Sequence, residues 1–225
     1  MGATLFISFE GGEGAGKTTQ SRLLCRKLRE AGQCATLVHE PGSTPLGEYL
    51  RSYLKSNNPL TAEAELLLFE AARVELVTRT IEPELLSGCH VIADRFEAST
   101  VAYQGYGRGL DLEVVDRLNR FATRARTPDI TFLLDLDPAE GLRRVGSRQL
   151  SLALASKQSG FGPEDVPDTQ PRFEEEAIEF HRRVRQGFME QAHSNPARWT
   201  IIDASMSTGQ VAAQVWDRIN GSVAI

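Results

Sequence analysis

The sequence lacks a surplus of basic residues, and this limits what it can bind. Its 25 lysines and arginines are outnumbered by 30 aspartates and glutamates, which gives a formal net charge of −5 over 225 residues. Proteins that bind a nucleic-acid polymer usually carry a positive field or a basic stripe. The charge balance therefore argues against a polynucleotide partner and leaves small molecules as the expected ligands.

Long apolar runs are also missing. No stretch approaches the roughly 20 apolar residues that a membrane-spanning helix needs, so we expect no membrane segment. The first residues lead directly into an apolar strand pattern, without a basic region followed by an apolar core. We therefore expect no secretory signal peptide.

Cysteine is scarce, and its spacing matches no metal site. The three cysteines, Cys25, Cys34 and Cys89, are odd in number and far apart in the sequence. Such a set is typical of proteins whose thiols stay reduced. It predicts a reducing compartment and hence a cytoplasmic location.

What the chain does contain is an alternation of strand and helix patterns. Apolar runs predict strands at 4–9, 35–39, 89–93, 130–136 and 199–203. Helical spacing predicts helices at 19–28, 47–51, 61–79, from about 99, 111–121, 173–192 and 208–219. Strands separated by helices predict a five-stranded parallel sheet with helices on both faces. With no repeat and no linker, the prediction is one α/β domain over residues 1–225.

A glycine-rich segment, residues 11–18 (GGEGAGKT), has the features of a phosphate-binding P-loop. It lies between the first strand pattern and the first helix pattern, which is the context that a P-loop requires. Glycine lets the backbone wrap closely round a phosphate, and the loop N–H groups and helix N-terminus point at the anion. Lys17 can reach the β- and γ-phosphates, and the Thr18 hydroxyl can bind Mg²⁺. A plain glycine turn would not explain why the segment ends in Gly-Lys-Thr and lies between a strand pattern and a helix pattern.

The rest of the sequence narrows the class of P-loop protein. A GTPase needs an Asn-Lys-x-Asp segment, which is missing, and a helicase or motor needs more length and more basic surface. Residues 143–172 carry several glycines and prolines with Arg143, Arg144, Arg148, Lys157 and Arg172, and show no strand pattern. Such a stretch predicts a mobile lid over phosphates, with a merely solvated loop as the alternative. A small acidic P-loop protein with a basic lid is typical of nucleoside monophosphate kinases.

The ordered motifs of the chain resemble those of bacterial thymidylate kinases. They are the P-loop, EPGST at 40–44, LLLFEAAR at 66–73, DRFEASTVAYQG at 94–105, LDLDP at 134–138 and IDAS at 202–205. The resemblance covers nearly the whole chain. It implies a three-layer P-loop kinase fold that transfers phosphate from ATP, with Mg²⁺, to dTMP on the route to dTTP. It also implies a homodimer.

The resemblance implies a role for each matching position. The expected dTMP-binding residues are Glu13, Glu40, Pro41, Arg51, Phe69, Arg73, Arg95, Ser99, Thr100, Tyr103 and Gln104. The expected ATP-binding residues are Gly11, Gly12, Glu13, Gly14, Ala15, Gly16, Lys17, Thr18, Arg143, Arg144, Ala204 and Ser205. Lys17, Arg95 and Arg148 are expected to be catalytic, and Thr18 and, through water, Asp94 are expected to hold the metal.

Each implied role has a physical reason and a plainer alternative. Phe69 would stack on the thymine ring, although a leucine-rich helix also accommodates a core phenylalanine. Arg73, four residues later on the same helix face, would donate to a thymine carbonyl, or it forms a surface salt bridge. Tyr103 would exclude a ribose 2′-hydroxyl, or it belongs to the core. Arg51 and Arg95 would hold the acceptor phosphate through planar donors.

The lid departs from the family pattern. Where family members show Asp-Arg-x-Glu, this sequence has Pro171 followed by Arg172, and the lid before it is longer. Because no residue between Gly11 and Gly16 is basic, a lid arginine is expected to supply charge at the phosphates. Arg148 is the first choice.

Two other functions stay open at this point. One is a kinase for another deoxynucleotide or for a deoxynucleoside, and the other is a nucleotide-binding switch without transfer chemistry. A nucleoside acceptor would leave the phosphate-directed arginines without a partner. Formation of ADP with one monophosphate and not with others would separate the three.

Overall fold

A five-stranded parallel sheet forms the centre of the computed structural model, which describes residues 4–56, 59–156 and 176–220. The strand order is β2-β3-β1-β4-β5, and every neighbouring pair is parallel. This confirms the predicted sheet. The strands are β1 (Phe6–Glu10), β2 (Ala35–His39), β3 (His90–Asp94), β4 (Ile130–Asp135) and β5 (Trp199–Asp203).

Helices follow each strand, as the alternating pattern predicts. They are α1 (Lys17–Glu30), α2 (Pro45–Lys55), α3 (Ala62–Leu76), α4 (Glu82–Leu86), α5 (Glu97–Thr100), α6 (Leu112–Ala122), α7 (Pro138–Ser156), α8 (Ile178–Ser194) and α9 (Thr208–Asn220). Two π-helical segments, Val77–Ile81 and Val101–Gly107, continue α3 and α5. Thr61 caps α3 by accepting from the backbone N–H of Ala64, as predicted. Within the described ranges, the helices all fall short of the length and apolarity that crossing a bilayer would take.

The core lies on both faces of the sheet because neighbouring residues of a strand point in opposite directions. Ile7 of β1 belongs to a buried cluster with Leu24 and Leu28 of α1 and Val211 of α9. Phe6 belongs to a second cluster, with residues of α3 and β3, on the other face. Helices, sheet and helices thus form three layers, and the carboxyl ends of the strands share one edge.

The segment predicted as a lid begins as a helix. We expected a mobile lid without a strand over 143–172 and did not predict a helix there, but α7 continues from Pro138 to Ser156 and includes Arg148. A single glycine such as Gly146 costs a helix only about 1 kcal/mol, and the flanking leucines, arginines and alanines are good helix formers. Residues 157–175, with Lys157, Pro171 and Arg172, lie outside the described part of the chain.

The expectation of reduced cysteines is wrong for two of the three. Cys34 and Cys89 form a disulfide with 4.6 Å between their Cα atoms. Each directly precedes a strand, and those strands, β2 and β3, are neighbours in register, with Ala35 opposite His90. The spacing of 55 residues in the sequence hides this proximity, which depends on the strand order. Cys25 is a buried free thiol.

Reduction of the Cys34–Cys89 bond is expected to lower the free energy of unfolding by roughly 2–4 kcal/mol, since the bond closes a long loop in the unfolded chain. Thermal unfolding with and without dithiothreitol measures the effect. The Cys34→Ser, Cys89→Ser double variant is the control, because it should unfold at the same temperature in both buffers. Equal responses of the double variant and the parent protein would contradict the assignment.

Candidate active site

The P-loop joins β1 to α1 at the carboxyl edge of the sheet. Gly11, Gly14 and Gly16 have φ angles of 141°, 69° and 94°, a region that residues with a Cβ rarely adopt. The Lys17 ammonium donates to the carbonyl oxygens of Gly11 (3.0 Å) and Gly12 (2.7 Å). Burial, with repulsion from the Arg95 guanidinium, lowers the pKa of Lys17 to about 8. The loop therefore holds a buried amine against its own backbone, at the start of a helix suited to an anion.

Thr18, at the start of α1, and Asp94, at the end of β3, bring two oxygen ligands together. The Thr18 hydroxyl donates to the Asp94 carboxylate at 2.5 Å. Magnesium prefers oxygen ligands and usually takes one or two from the protein and the others from water and phosphates. The pair therefore fits the Mg²⁺ ion that the resemblance implies.

Glu13 links the P-loop to two residues of the predicted dTMP site. Its carboxylate accepts from Arg95 Nη2 at 2.7 Å and from the Tyr103 hydroxyl at 2.6 Å. Burial raises the pKa of Glu13, but the charges of Arg95 and Lys17 and the bond from Tyr103 outweigh it and lower the pKa to about 2. Glu13 is thus an ionised carboxylate that fixes a guanidinium and a phenol beside the loop.

A pocket opens next to this group. It brings together most of the residues predicted to bind dTMP, namely Glu40, Phe69, Arg73, Arg95, Ser99, Thr100, Tyr103 and Gln104. Glu13, Pro41 and Arg51 are outside its lining. Glu13 still reaches the pocket through Arg95 and Tyr103, while Arg51 donates to the Pro41 carbonyl at 2.7 Å. Arg51 thereby stays near Asp94 and Arg95, whose charges act on it.

Phe69 is a pocket residue as well as a core neighbour. It is half-buried and packs against a cluster that includes Tyr103, Phe180 and Phe188. Tyr103 lies edge-on to both of those phenylalanine rings, with centroids 6.1 Å away. For Phe69 and Tyr103, the predicted binding role and the alternative core role are therefore compatible, since each side chain packs in the core and also lines the pocket.

Arg73 is buried, and the surface salt bridge considered as an alternative is wrong. With 1% of its surface exposed, it donates to Glu40 from Nε and Nη2, at 2.6 to 3.1 Å. Its remaining donors reach Glu70, Thr100 and Asn119, at 2.9, 2.8 and 2.7 Å respectively. Burial lowers the pKa of Arg73, but the carboxylates of Glu40 and Glu70 reverse this and raise it. The guanidinium is a fixed charge in the pocket wall.

Glu10 is a site residue that the sequence analysis missed. It ends β1 directly before the P-loop, is fully buried, and accepts from the Phe96 backbone N–H (2.7 Å) and the Ser99 hydroxyl (2.6 Å). These bonds hold the corner at Arg95, where φ is 73°. Burial raises the pKa of Glu10 to about 7. A carboxylate at the end of an otherwise apolar strand was the signal that could have identified it.

The residues predicted for the nucleotide base of ATP lie on the other side of the P-loop. Arg144 donates to the carbonyl of Ala204 at 2.9 Å and to Glu140 at 2.8 Å. Ser205 follows Ala204 directly after β5 and is exposed. Arg143 is exposed and pairs with Glu140. Arg144 and Ala204 are therefore in contact, and Arg143 lies nearby on the same helix. The Arg148 side chain lies outside the described part of the chain.

Gly141 was also missed. A Cβ at this position would lie 2.2 Å from the carbonyl oxygen of Glu13, and one at Gly14 would lie 2.2 Å from the carbonyl oxygen of Gly141. The first turn of α7 is therefore in backbone contact with the P-loop. The sequence offered no signal beyond a glycine close to a helix start.

Comparisons with known proteins agree with this geometry. The family model described as thymidylate kinase matches residues 9–215. A thymidylate kinase from Synechococcus sp. (strain JA-2-3B'a(2-13)) is 44% identical over 94% of this chain and 92% of its own length. One from Solidesulfovibrio magneticus is also 44% identical, over 94% of this chain and 97% of its own. The crystal structure of thymidylate kinase from Ehrlichia chaffeensis has a TM-score of 0.75 and 34% identity, covering 96% of this chain and 99% of that one.

Proposed function

Since this chain belongs to the thymidylate kinase family, we propose a role for each part of its site in the phosphorylation of dTMP by ATP. The reaction moves the γ-phosphoryl group onto the phosphate of dTMP and yields dTDP and ADP. The observation that carries the assignment of roles is the position of Glu13, Arg95 and Tyr103. Glu13 of the P-loop is hydrogen-bonded to Arg95 and Tyr103 of the pocket wall, so the three residues connect the two places where the substrates have to meet.

The pocket holds the thymidine half of dTMP. Phe69 stacks on the thymine ring, and Arg73, Thr100 and Gln104 face the base edge. Tyr103 packs under the deoxyribose, where its ring leaves no space for a 2′-hydroxyl. The Tyr103 phenol is fixed by Glu13, whose carboxylate accepts from the 3′-hydroxyl.

Charge is supplied where the phosphates meet. Arg51 and Arg95 hold the acceptor phosphate, near Glu40, Pro41 and Ser99, and Lys17 bridges the β- and γ-phosphates of ATP. Thr18 and, through water, Asp94 hold Mg²⁺, which neutralises charge on the phosphates when bound. The acceptor phosphate is already an anion near neutral pH, so the chain has to align the reactants and offset charge, and needs no general base.

The donor half binds along the P-loop and the first turns of α7. The backbone from Gly11 to Thr18 wraps the phosphates, and Ala204 and Ser205 pack on the adenine. Arg144, held by the Ala204 carbonyl, flanks the adenine together with Arg143. Arg148, further along the same helix, is the proposed source of the additional positive charge.

We propose that the enzyme is a homodimer. Exposed large apolar side chains lie on α2, α3 and α6, of which α3 packs against both of the others: Leu46, Tyr49, Tyr53, Leu67, Leu112, Val114 and Phe121. Packing of this surface against a second copy of the chain would remove it from water.

A cytoplasmic location is also proposed, because ATP and dTMP are available in the cytoplasm.

Coupled measurement of ADP release with ATP, Mg²⁺ and one nucleoside monophosphate at a time tests the function. We expect dTMP to give the highest kcat/KM, with dUMP, dCMP, dGMP, dAMP and the ribose form of thymidylate well below it. A nucleoside kinase would instead turn over thymidine, and a switch protein would bind nucleotide without releasing ADP. Either outcome would overturn the proposal, and family membership favours neither.

A further inference from the structure

Glu65 is a fully buried carboxylate next to the base pocket. It lies on α3, four residues before Phe69, with 0% of its surface exposed. Its Oε1 accepts a hydrogen bond from the Gln104 side-chain amide, with Nε2 at 3.0 Å. Gln104 itself is 2% exposed and lines the pocket. A buried charge therefore stands directly behind a residue that faces the base.

A second donor keeps this carboxylate in place as an acceptor. Arg108 donates to Glu65 from Nε to Oε1 at 3.1 Å and from Nη2 to Oε2 at 3.3 Å. The same guanidinium pairs with Glu176 and lies over the ring of Phe180, 4.8 Å from its centroid. A carboxylate paired with a guanidinium accepts hydrogen bonds and has none to donate.

This pairing fixes which way the Gln104 amide points. A glutamine amide has an NH₂ donor at one end and a carbonyl acceptor at the other, and the two ends are nearly the same shape. Because Glu65 only accepts, the NH₂ end has to face it. The carbonyl oxygen, Oε1, is therefore the end turned toward the pocket.

We infer that Glu65 is a positioning residue that sets base specificity, by holding the Gln104 amide so that the pocket presents an acceptor to the base edge. Thymine and uracil have a donor, N3–H, in the middle of that edge, whereas cytosine has an acceptor at N3. An acceptor in the pocket pairs with the first two and repels the third. Sites built to pair with a substrate group reject an analogue that leaves buried polar groups unpaired. The inference rests on the proposed placement of thymine in this pocket.

The test is Glu65→Gln, which keeps the size of the side chain and removes its acceptor-only character. Residue 65 can then either donate or accept, so Gln104 is able to turn its NH₂ toward the base. We expect the ratio of kcat/KM for dTMP to that for dCMP to fall at least tenfold, and the dTMP/dUMP ratio and the KM for ATP to change little. dUMP separates recognition of the N3 edge from recognition of the thymine methyl group.

Arg108→Gln is the matched control. It removes the other partner of Glu65 but leaves the carboxylate to accept from Gln104, so we expect lower thermal stability with an unchanged dTMP/dCMP ratio. A merely structural role for Glu65 would make the two variants alike, with lower stability and unchanged preference, and this would overturn the inference.

Gln104→Met keeps the test decisive if Glu65→Gln fails to fold. Methionine fills the same volume without the amide, so dTMP should bind at least tenfold more weakly, and the ratio of its dissociation constant to that of dCMP should rise. Unchanged ratios in this variant would refute the inference. If the parent protein releases no ADP with dTMP, the proposed function fails instead, so the two failures are distinct.

Discussion

Replacing Arg73 by alanine is expected to destabilise the protein by roughly 3–5 kcal/mol, the usual cost of removing one partner from a buried ion pair. The guanidinium is 1% exposed and satisfies Glu40 and Glu70, two carboxylates that are themselves buried. Without Arg73 these carboxylates have to be neutralised or hydrated inside the domain. For a chain of this size the melting temperature should fall by roughly 6–20 °C.

Arg79→Ala is the matched control for Arg73→Ala. Arg79 follows one and a half turns later in the same run of helix and also pairs with a glutamate, Glu75, but its side chain is 67% exposed. Exposed pairs contribute about 0–1 kcal/mol, so this variant should melt close to the parent protein. Similar melting temperatures for the two variants would show that the Arg73 network contributes no more than a surface pair. The KM for dTMP, measured below the melting range, should rise for Arg73→Ala alone.

Arg148→Ala is expected to lower kcat by about 10³–10⁵, the range that arginine fingers contribute elsewhere. The reason is electrostatic, because charge that builds on the transferred phosphoryl group needs a cation besides Lys17 and Mg²⁺. Arg143 and Arg144 are engaged with Glu140 at the start of α7, and Arg148 follows Arg144 by about one turn of the same helix. Single-turnover rates measure the effect on the chemical step, while the KM for dTMP should hardly change.

Arg143→Ala provides the comparison on the same helix. Its side chain is exposed and paired locally, so we expect less than a tenfold change in kcat. A near-normal single-turnover rate for Arg148→Ala would mean that another group supplies the charge. A rise in the KM for ATP at unchanged kcat would place Arg148 in donor binding instead of in the chemical step.

The sequence predicted those parts of the fold that local patterns determine. The strands Ala35–His39 and Trp199–Asp203 were predicted with their observed bounds, and the P-loop lies at a strand–helix junction as expected. Short apolar runs ending at glycine, proline or aspartate leave little choice of structure. The pocket residues were predicted through the family resemblance. Spacing on α3 alone would have favoured a core role for Phe69.

Contacts that depend on the packing of distant elements could not be predicted. Arg73 contacts residues 33, 27 and 46 positions away, in the loop after β2, on α5 and on α6, so its burial cannot be predicted from the helix pattern. The Cys34–Cys89 pair likewise depends on β2 and β3 being neighbours. Helix α7 was missed because glycines and prolines in the wider segment masked the helix formers before residue 157.

The contact between Gly14 and Gly141 fixes the position of the first turn of α7 relative to the P-loop. At this point main chain meets main chain, and no side chain lies between them to change rotamer and absorb a displacement. The start of α7 therefore has no room to move toward the P-loop unless the loop moves with it. The groups proposed to bind the phosphates and the adenine of ATP are thus joined through a main-chain contact, which a change of side-chain rotamer does not alter.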